Sequence, residues 1–255
     1  MACDVFYVDL NQKQIKISDV KNPTEDEAWV WTYTTDGIKL QDERIKFFQV
    51  ADYLNGWIEE DGNWYLYSNN EKLTGWQMSN GNWYYLNEKG IMLTGWILDN
   101  GNKYYLRSSG AMATGWVQDG GKWYYMRTNG AMATGWVQDG GKWYYMSASG
   151  TMVTGWVQDG GKWYYMSVSG TMVTGWVQDG GKWYYMRTNG VMATCWVQDG
   201  GKWYFLESNG AMATNKWING IYYVKSNGEM AVNEWVDGGR YYVGVDGKWI
   251  PNKTK

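Results

Sequence analysis

The chain has 255 residues and no His, with 23 Lys plus Arg against 26 Asp plus Glu, a formal net charge of −3. That balance offers no basic footprint to nucleic acid, and without His there is no His-based triad, acid–base pair or metal site. The 20 Trp, 22 Tyr and 34 Gly stand against 4 Phe and 2 Pro, a bias unlike a Leu, Ile and Val core. Many similar turns and many exposed or half-buried rings are expected. Mean hydropathy is −0.56, and no apolar run approaches the roughly 20 residues that span a bilayer, so no membrane span is expected.

Residues 1–55 come first and differ from the rest. The opening MACDVFYVDLNQKQ lacks a basic and then an apolar region, so no signal peptide is read in this chain. An earlier cleavage or a longer parent is compatible with that. Val5 to Val8 and Ile15 to Ile17 read as short strands. Trp29 to Tyr33 alternates with period two, Thr35-Asp36-Gly37 is a turn, and Ile45 to Val50 is a third strand or a short helix. The mixed run Asp19 to Glu27 contains Pro23. So short a stretch is expected to be a β-rich cap on the remainder of the chain or the stub of an upstream domain. Its carboxylates (Asp4, Asp9, Asp19, Glu25, Asp26, Glu27, Asp36, Asp42, Glu43) form no acid–base spacing and read as a solvated face. No catalytic residue, metal site or cofactor is expected. The cysteines are Cys3 and Cys195, and their separation gives a bridge no support.

From Gly56 onward the chain repeats itself, which decides the architecture. The string GWVQDGGKWYYM begins at Gly115, Gly135, Gly155 and Gly175, and returns as CWVQDGGKWYFL at Cys195. Weaker copies start at Gly56, Gly75 and Gly95, and degenerate ones at Lys216 and Glu234. The leading indoles Trp57, Trp76, Trp96, Trp116, Trp136, Trp156, Trp176, Trp196, Trp217 and Trp235 are 19, 20, 20, 20, 20, 20, 20, 21 and 18 residues apart. About ten units therefore occupy 56–251.

Each unit reads as a β-hairpin and a loop. Gly115 to Gln118 is a short strand, Asp119-Gly120-Gly121 supplies the positive φ angles of a tight turn, and Lys122 to Met126 returns. Arg127 to Gly130 is a second turn, and Ala131 to Thr134 leads into the next hairpin. Side chains alternate along a strand, so Trp123 and Tyr125 share one face while Tyr124 and Met126 share the other. A lone hairpin is marginal in water. Stacked in series, hairpins bury one face each against their neighbours, giving an all-β solenoid with atypical terminal units.

A core alone could use Val or Leu where these units use Trp. Two indoles from one hairpin and a Tyr from the next can wall a small cation, and a ring face attracts a quaternary ammonium by about 0.5–2 kcal/mol per contact. Such a cation has no N–H to satisfy, so the cage needs no carboxylate. The loop Met adds a soft apolar wall.

The GW…WYY…Met-Thr-Gly-Trp unit resembles the cell-wall-binding repeat of Gram-positive surface proteins, above all the choline-binding repeats of wall hydrolases and adhesins. The resemblance covers Gly56 to about Trp249. It implies a left-handed solenoid with roughly three hairpins per turn, choline sites at hairpin junctions, choline-decorated teichoic acid as partner, and a place on the bacterial cell surface. It also leaves a homodimer through terminal hairpins open. Carried over, the family's site takes both Trp of one repeat, then a Tyr and an apolar residue. The sets are Trp57, Trp64, Tyr85; Trp76, Trp83, Tyr105, Met92; Trp116, Trp123, Tyr145, Met132; Trp136, Trp143, Tyr165, Met152; and Trp156, Trp163, Tyr185, Met172. Then come Trp176, Trp183, Phe205, Met192 and Trp196, Trp203, Tyr223, Met212. The second aromatic of each pair is taken because it shares a face with the return-strand Trp; the first remains open.

Three units depart from the pattern, with Lys103, Ile221 and Arg240 in place of the return-strand Trp. A cation at Lys103 or Arg240 would repel choline, so those sites should be empty or built differently. The reading is a non-catalytic wall-binding module. The alternative is a glucan-binding module, in which related aromatic repeats stack rings on pyranose faces; it would call for more Asn, Gln or Asp beside the rings. A catalytic fragment is a third class, with residues 1–55 as its one candidate region.

Overall fold

A computed structural model describes residues 54–254 and, in 1–53, the strands at 7–10, 13–16, 27–33 and 39–46. Every element is a β-strand; among the described residues there is no helix. Two compact units divide the chain, one of Met1–Ile58 with Leu66–Lys72, the other of Glu59–Tyr65 with Leu73–Lys255.

In the first unit, Tyr7–Leu10 pairs antiparallel with Lys13–Lys16, and Glu27–Tyr33 with Lys39–Lys46, the latter register shifting between Thr32 and Tyr33. Of the stretch Ile45 to Val50, read as a third strand or a short helix, Ile45 and Lys46 belong to the strand Lys39–Lys46 and 47–50 lie outside the described residues. The turn at Thr35-Asp36-Gly37, the charged run ahead of Glu27, and Cys3 lie outside the described residues.

In the second unit the repeat becomes a row of two-stranded hairpins. Gly115–Asp119 pairs with Lys122–Met126, opposing Trp116 to Tyr125, Val117 to Tyr124 and Gln118 to Trp123. The same register recurs from Gly75 to Leu206. Opposed residues point to one side of an antiparallel pair. One face therefore carries Trp116, Trp123 and Tyr125, and the other Val117, Tyr124 and Met126, as the alternation of the sequence requires. The turn has Gly120 at φ 53° and Gly121 at φ 75°, the doubly left-handed pair of a type I′ turn, whose twist matches that of the strands.

Successive hairpins stack unlike face to unlike face. Trp96 and Tyr105 of one unit pack on Ala113, Val117 and Met126 of the next, and Trp116 and Tyr125 pack on Ala133, Val137 and Met146. The last residue of each regular return strand is sealed: Leu86, Leu106, Met126, Met146, Met166, Met186 and Leu206. Truncating such a residue to Ala removes about 2–5 kcal/mol. The loops stitch the row together. Ala133 N–H donates to Tyr125 O of its own hairpin at 2.7 Å, and Met132 N–H reaches back to Lys103 O of the preceding one at 2.8 Å. Backbone pairing thus links neighbours that no continuous sheet joins.

Each strand that opens a regular hairpin starts on a left-handed residue, such as Gly115 and Gly135 at φ 72°. Cys195 replaces that Gly and keeps the conformation at φ 65°, its thiol exposed and free. In the two degenerate units the left-handed position moves one residue earlier, to Asn215 at φ 47° and Asn233 at φ 54°, where Asn tolerates it. A left-handed non-Gly residue costs about 1–2 kcal/mol, and a Gly loosens the unfolded chain by about 0.4–1 kcal/mol. Cys195→Gly should therefore raise the unfolding free energy by roughly 0.5–1 kcal/mol, the difference between those two effects. Urea denaturation measures it; an unchanged midpoint would mean the backbone carries no strain there.

Candidate cation site

The site forms where the Trp face of one hairpin meets the next hairpin. Trp116 stands 6.3 Å from Trp123 of its own hairpin with their planes at 86°. From the next hairpin Tyr144 closes on Trp116 at 4.7 Å and 69°. The same corner recurs at Trp136, Trp143, Tyr164, at Trp156, Trp163, Tyr184 and at Trp176, Trp183, Tyr204. Trp76 meets Tyr104 at 4.9 Å, and Trp196 meets Tyr222 at 5.4 Å. The outer indoles Trp83, Trp123, Trp143, Trp163, Trp183 and Trp203 stay 40–42% exposed, so one wall of each corner faces solvent. Such a ring is no core residue.

Two members of the expected sets change. Tyr85, Tyr105, Tyr145, Tyr165, Tyr185, Phe205 and Tyr223 each pack on the leading Trp of their own hairpin, at 5.0–5.3 Å, as Tyr145 does on Trp136. The ring that reaches the preceding hairpin is the first of each pair. The physical reason is the stacking: unlike faces meet, so the partner ring comes from the face opposite to that of the return-strand Trp. The methionines also move by one unit. Met152, not Met132, joins Trp116 and Trp123, its N–H donating to Trp123 O at 2.8 Å. Likewise Met92 bonds Trp64, Met172 Trp143, Met192 Trp163 and Met212 Trp183. Met112 on Trp83 and Met230 on Trp203 complete the series; neither was expected in a site. The loop doubles back along the return strand it has just left, which carries its Met to the preceding hairpin. Trp57 belongs to the other compact unit.

Each Met is held in turn by a glycine. A Cβ on Gly170 would overlap the Met152 sulfur, and the same is true of Gly150 with Met132 and Gly210 with Met192. The second turn of each repeat needs Gly both for its left-handed φ and to seat this wall. At Trp156 the result is a cleft of about 180 Å³ lined by Trp156, Trp163, Tyr184, Met192 and Asn209. At the third unit Lys103 opens the corner into a cleft of about 420 Å³ that keeps Trp96, Tyr124 and Met132. Trp96 still meets Tyr124 at 4.8 Å.

A tie absent from the sequence reading orients the buried indole. Trp116 Nε1–H donates to Asp139 Oδ2 in the turn of the next unit at 3.1 Å, and Tyr125 O–H reaches Asp139 Oδ1 at 3.4 Å. The indole bond recurs from Trp76 to Trp176, always 23 residues ahead. The turn Asp thus has an indole partner from the preceding unit. Where Asn219 replaces that Asp, Phe205 replaces the Tyr, so the hydroxyl and the carboxylate it would bond are replaced together. Only the spacing of 14 residues between the two positions carried that signal.

The chain matches the family model of the choline-binding repeat over residues 73–217 in overlapping copies and again over 211–249, and a cell-wall-binding repeat model over 55–73. It is similar to CbpJ of Streptococcus pneumoniae, at 30% identity over 97% of this chain and all of that one, TM-score 0.66. Choline binding protein F of S. pneumoniae matches at 32% identity over 91% of this chain and all of that one, TM-score 0.61. The choline-binding domain of pneumococcal CbpL matches at 38% identity over 71% of this chain and all of that one, TM-score 0.60. A search of curated sequences finds no match.

Burial first, then the charge and hydrogen bond of Asp139, raise the Tyr125 hydroxyl above its ordinary 10.0. Tyr145, Tyr165 and Tyr185 are raised in the same way by Asp159, Asp179 and Asp199, with Arg187 partly offsetting the last. A raised folded value means stability that is complete below the unfolded value and lost as pH climbs through the folded one. Unfolding free energy should hold steady up to about pH 10 with respect to these groups and fall above it. Replacing all four by Phe should flatten that alkaline fall; a fall of equal depth in the variant would remove the tyrosines from the account. Together the repeated hairpins, the matched models and the relatives establish that this chain belongs to the choline-binding repeat family.

Proposed function

We propose that the chain is a non-catalytic wall-binding module that takes up choline on teichoic acid at the junctions of consecutive hairpins, each site made of two indoles, the first Tyr of the next hairpin and the Met of the loop beyond it. The observation that carries this reading is the angle between the rings. Trp116 and Trp123 stand at 86°, and Trp116 and Tyr144 at 69°. Walls set at right angles enclose a small globular cation, whereas a pyranose stacks on one flat, open ring. The size agrees. An apolar cavity of about 150 Å³ holds a benzene-sized guest, and the Trp156 cleft of about 180 Å³ suits a trimethylammonium group. Pneumococcal relatives whose names describe choline-binding proteins support the same ligand.

Single cages of this kind are weak. Several on one row, facing a polymer that displays many cholines, raise avidity by about 10²–10⁴, which is what attachment to a cell surface needs. Residues 1–55 act in this reading as a cap or as the junction to another domain.

Calorimetric titration with choline, beside a dextran control, tests the assignment. Trp123→Ala should lower the number of choline sites by one without unfolding the row, because Trp123 is an exposed wall, while Val137 and Met146 are covered by Trp116 and Tyr125. Lys103→Trp should add one site, since Trp96, Tyr124 and Met132 are already in place. Dextran uptake without choline uptake would move these rings to sugar stacking.

A further inference from the structure

The ninth hairpin pairs Lys216–Ile218 with Tyr222–Val224 and has Ile221 where regular units carry their second indole. By the repeat pattern it has lost its site. Its leading Trp217 nonetheless meets the first Tyr of the following hairpin, Tyr241, at 5.5 Å and 89°. A second indole arrives from another direction. Trp249 stands 6.4 Å from Trp217 at 68° and 5.8 Å from Tyr241 at 87°. The indole separation matches the 6.2–6.4 Å of the regular corners.

Trp249 occupies the methionine position. Its N–H donates to Ile221 O at 2.9 Å, as Met152 does to Trp123 O at 2.8 Å. Lys248 before it bridges Tyr222 as Thr151 before Met152 bridges Tyr124. The regular methionines are each covered by a turn glycine one repeat later; among the described residues no later turn glycine closes on Trp249, so the larger ring fits. Its strand, Trp249–Ile250, pairs with Tyr241–Val243, which fixes the backbone. The indole is 41% exposed, as the regular return-strand indoles are. The neighbouring Lys248 ammonium is compensated by Asp246 at 3.4 Å.

We infer that Trp217, Tyr241 and Trp249 form an additional site for a quaternary ammonium, with Ile221 as its apolar fourth wall. The indole missing from the return strand is supplied from the methionine position, and three ring faces again meet near right angles around one cation. The inference rests on the choline reading of the regular corners.

Counting saturable choline sites on the full chain by calorimetry tests it. Trp249→Leu and Tyr241→Leu keep apolar packing, and each should bind one choline fewer than the unaltered chain. The double variant should also bind one fewer, not two, because both rings serve one site. An unchanged count in Trp249→Leu, while Trp123→Ala loses one, overturns this site and leaves the regular corners standing. A chain that takes up no choline at all overturns both. If Trp249→Leu does not fold, the count in Tyr241→Leu decides alone.

Discussion

The contact on which everything else depends is the edge-on meeting of a leading Trp with the first Tyr of the following hairpin. It repeats at 4.7–4.8 Å from Trp96 to Trp176, near the separation that ring quadrupoles favour. No continuous sheet crosses from one hairpin to the next, so the row is held by these ring pairs, by the sealed Val and Met or Leu beneath them, and by single loop hydrogen bonds. Repeats related by one stacking step meet head to tail, with a different surface on each side of the interface. The Trp face of one hairpin must therefore meet the Tyr and Met face of the next, and a corner of rings forms at each regular junction.

This explains why Trp persists where a smaller apolar residue would fill a core. Trp116 does two things at once. One part of it packs on Val137 and Met146 of the next hairpin, and its N–H is committed to Asp139. The rest stands as the inner wall of the corner. Trp123 adds the outer wall, and its carbonyl is held by Met152, which closes the far side. The corner of rings shares its residues with the fold, so its walls are preformed.

Much of this was legible in the sequence. Positive φ at the turn, alternation along each strand and the period of the leading Trp led to the hairpins, though Asp119, read as a turn residue, closes the first strand opposite Lys122. The face shared by Trp123 and Tyr125 was read correctly. What was drawn from it was not, because sharing a face with Trp123 puts Tyr145 on its own Trp136 and away from the preceding hairpin. The stacking of identical units already implied that unlike faces meet, which points to Tyr144. The methionine shift was less accessible. Whether a loop returns to the hairpin behind it or runs on to the next depends on the turn at Arg127–Gly130, and short spacing cannot decide between them. The Asp tie was hidden for another reason: it spans 23 residues and looks like ordinary turn chemistry. Its trace was the joint change at Phe205 and Asn219. Trp249 shows the same limit, since a tryptophan outside the regular spacing gives no sign of the corner it enters.

The most direct test is a crystal structure of the chain grown with choline. The account predicts density for the trimethylammonium group between Trp123, Trp116, Tyr144 and Met152, repeated at the equivalent regular junctions, with the Tyr145 ring still packed on Trp136. Choline seated against Tyr145 and Met132, or regular corners left empty while choline occupies other surfaces, would contradict it.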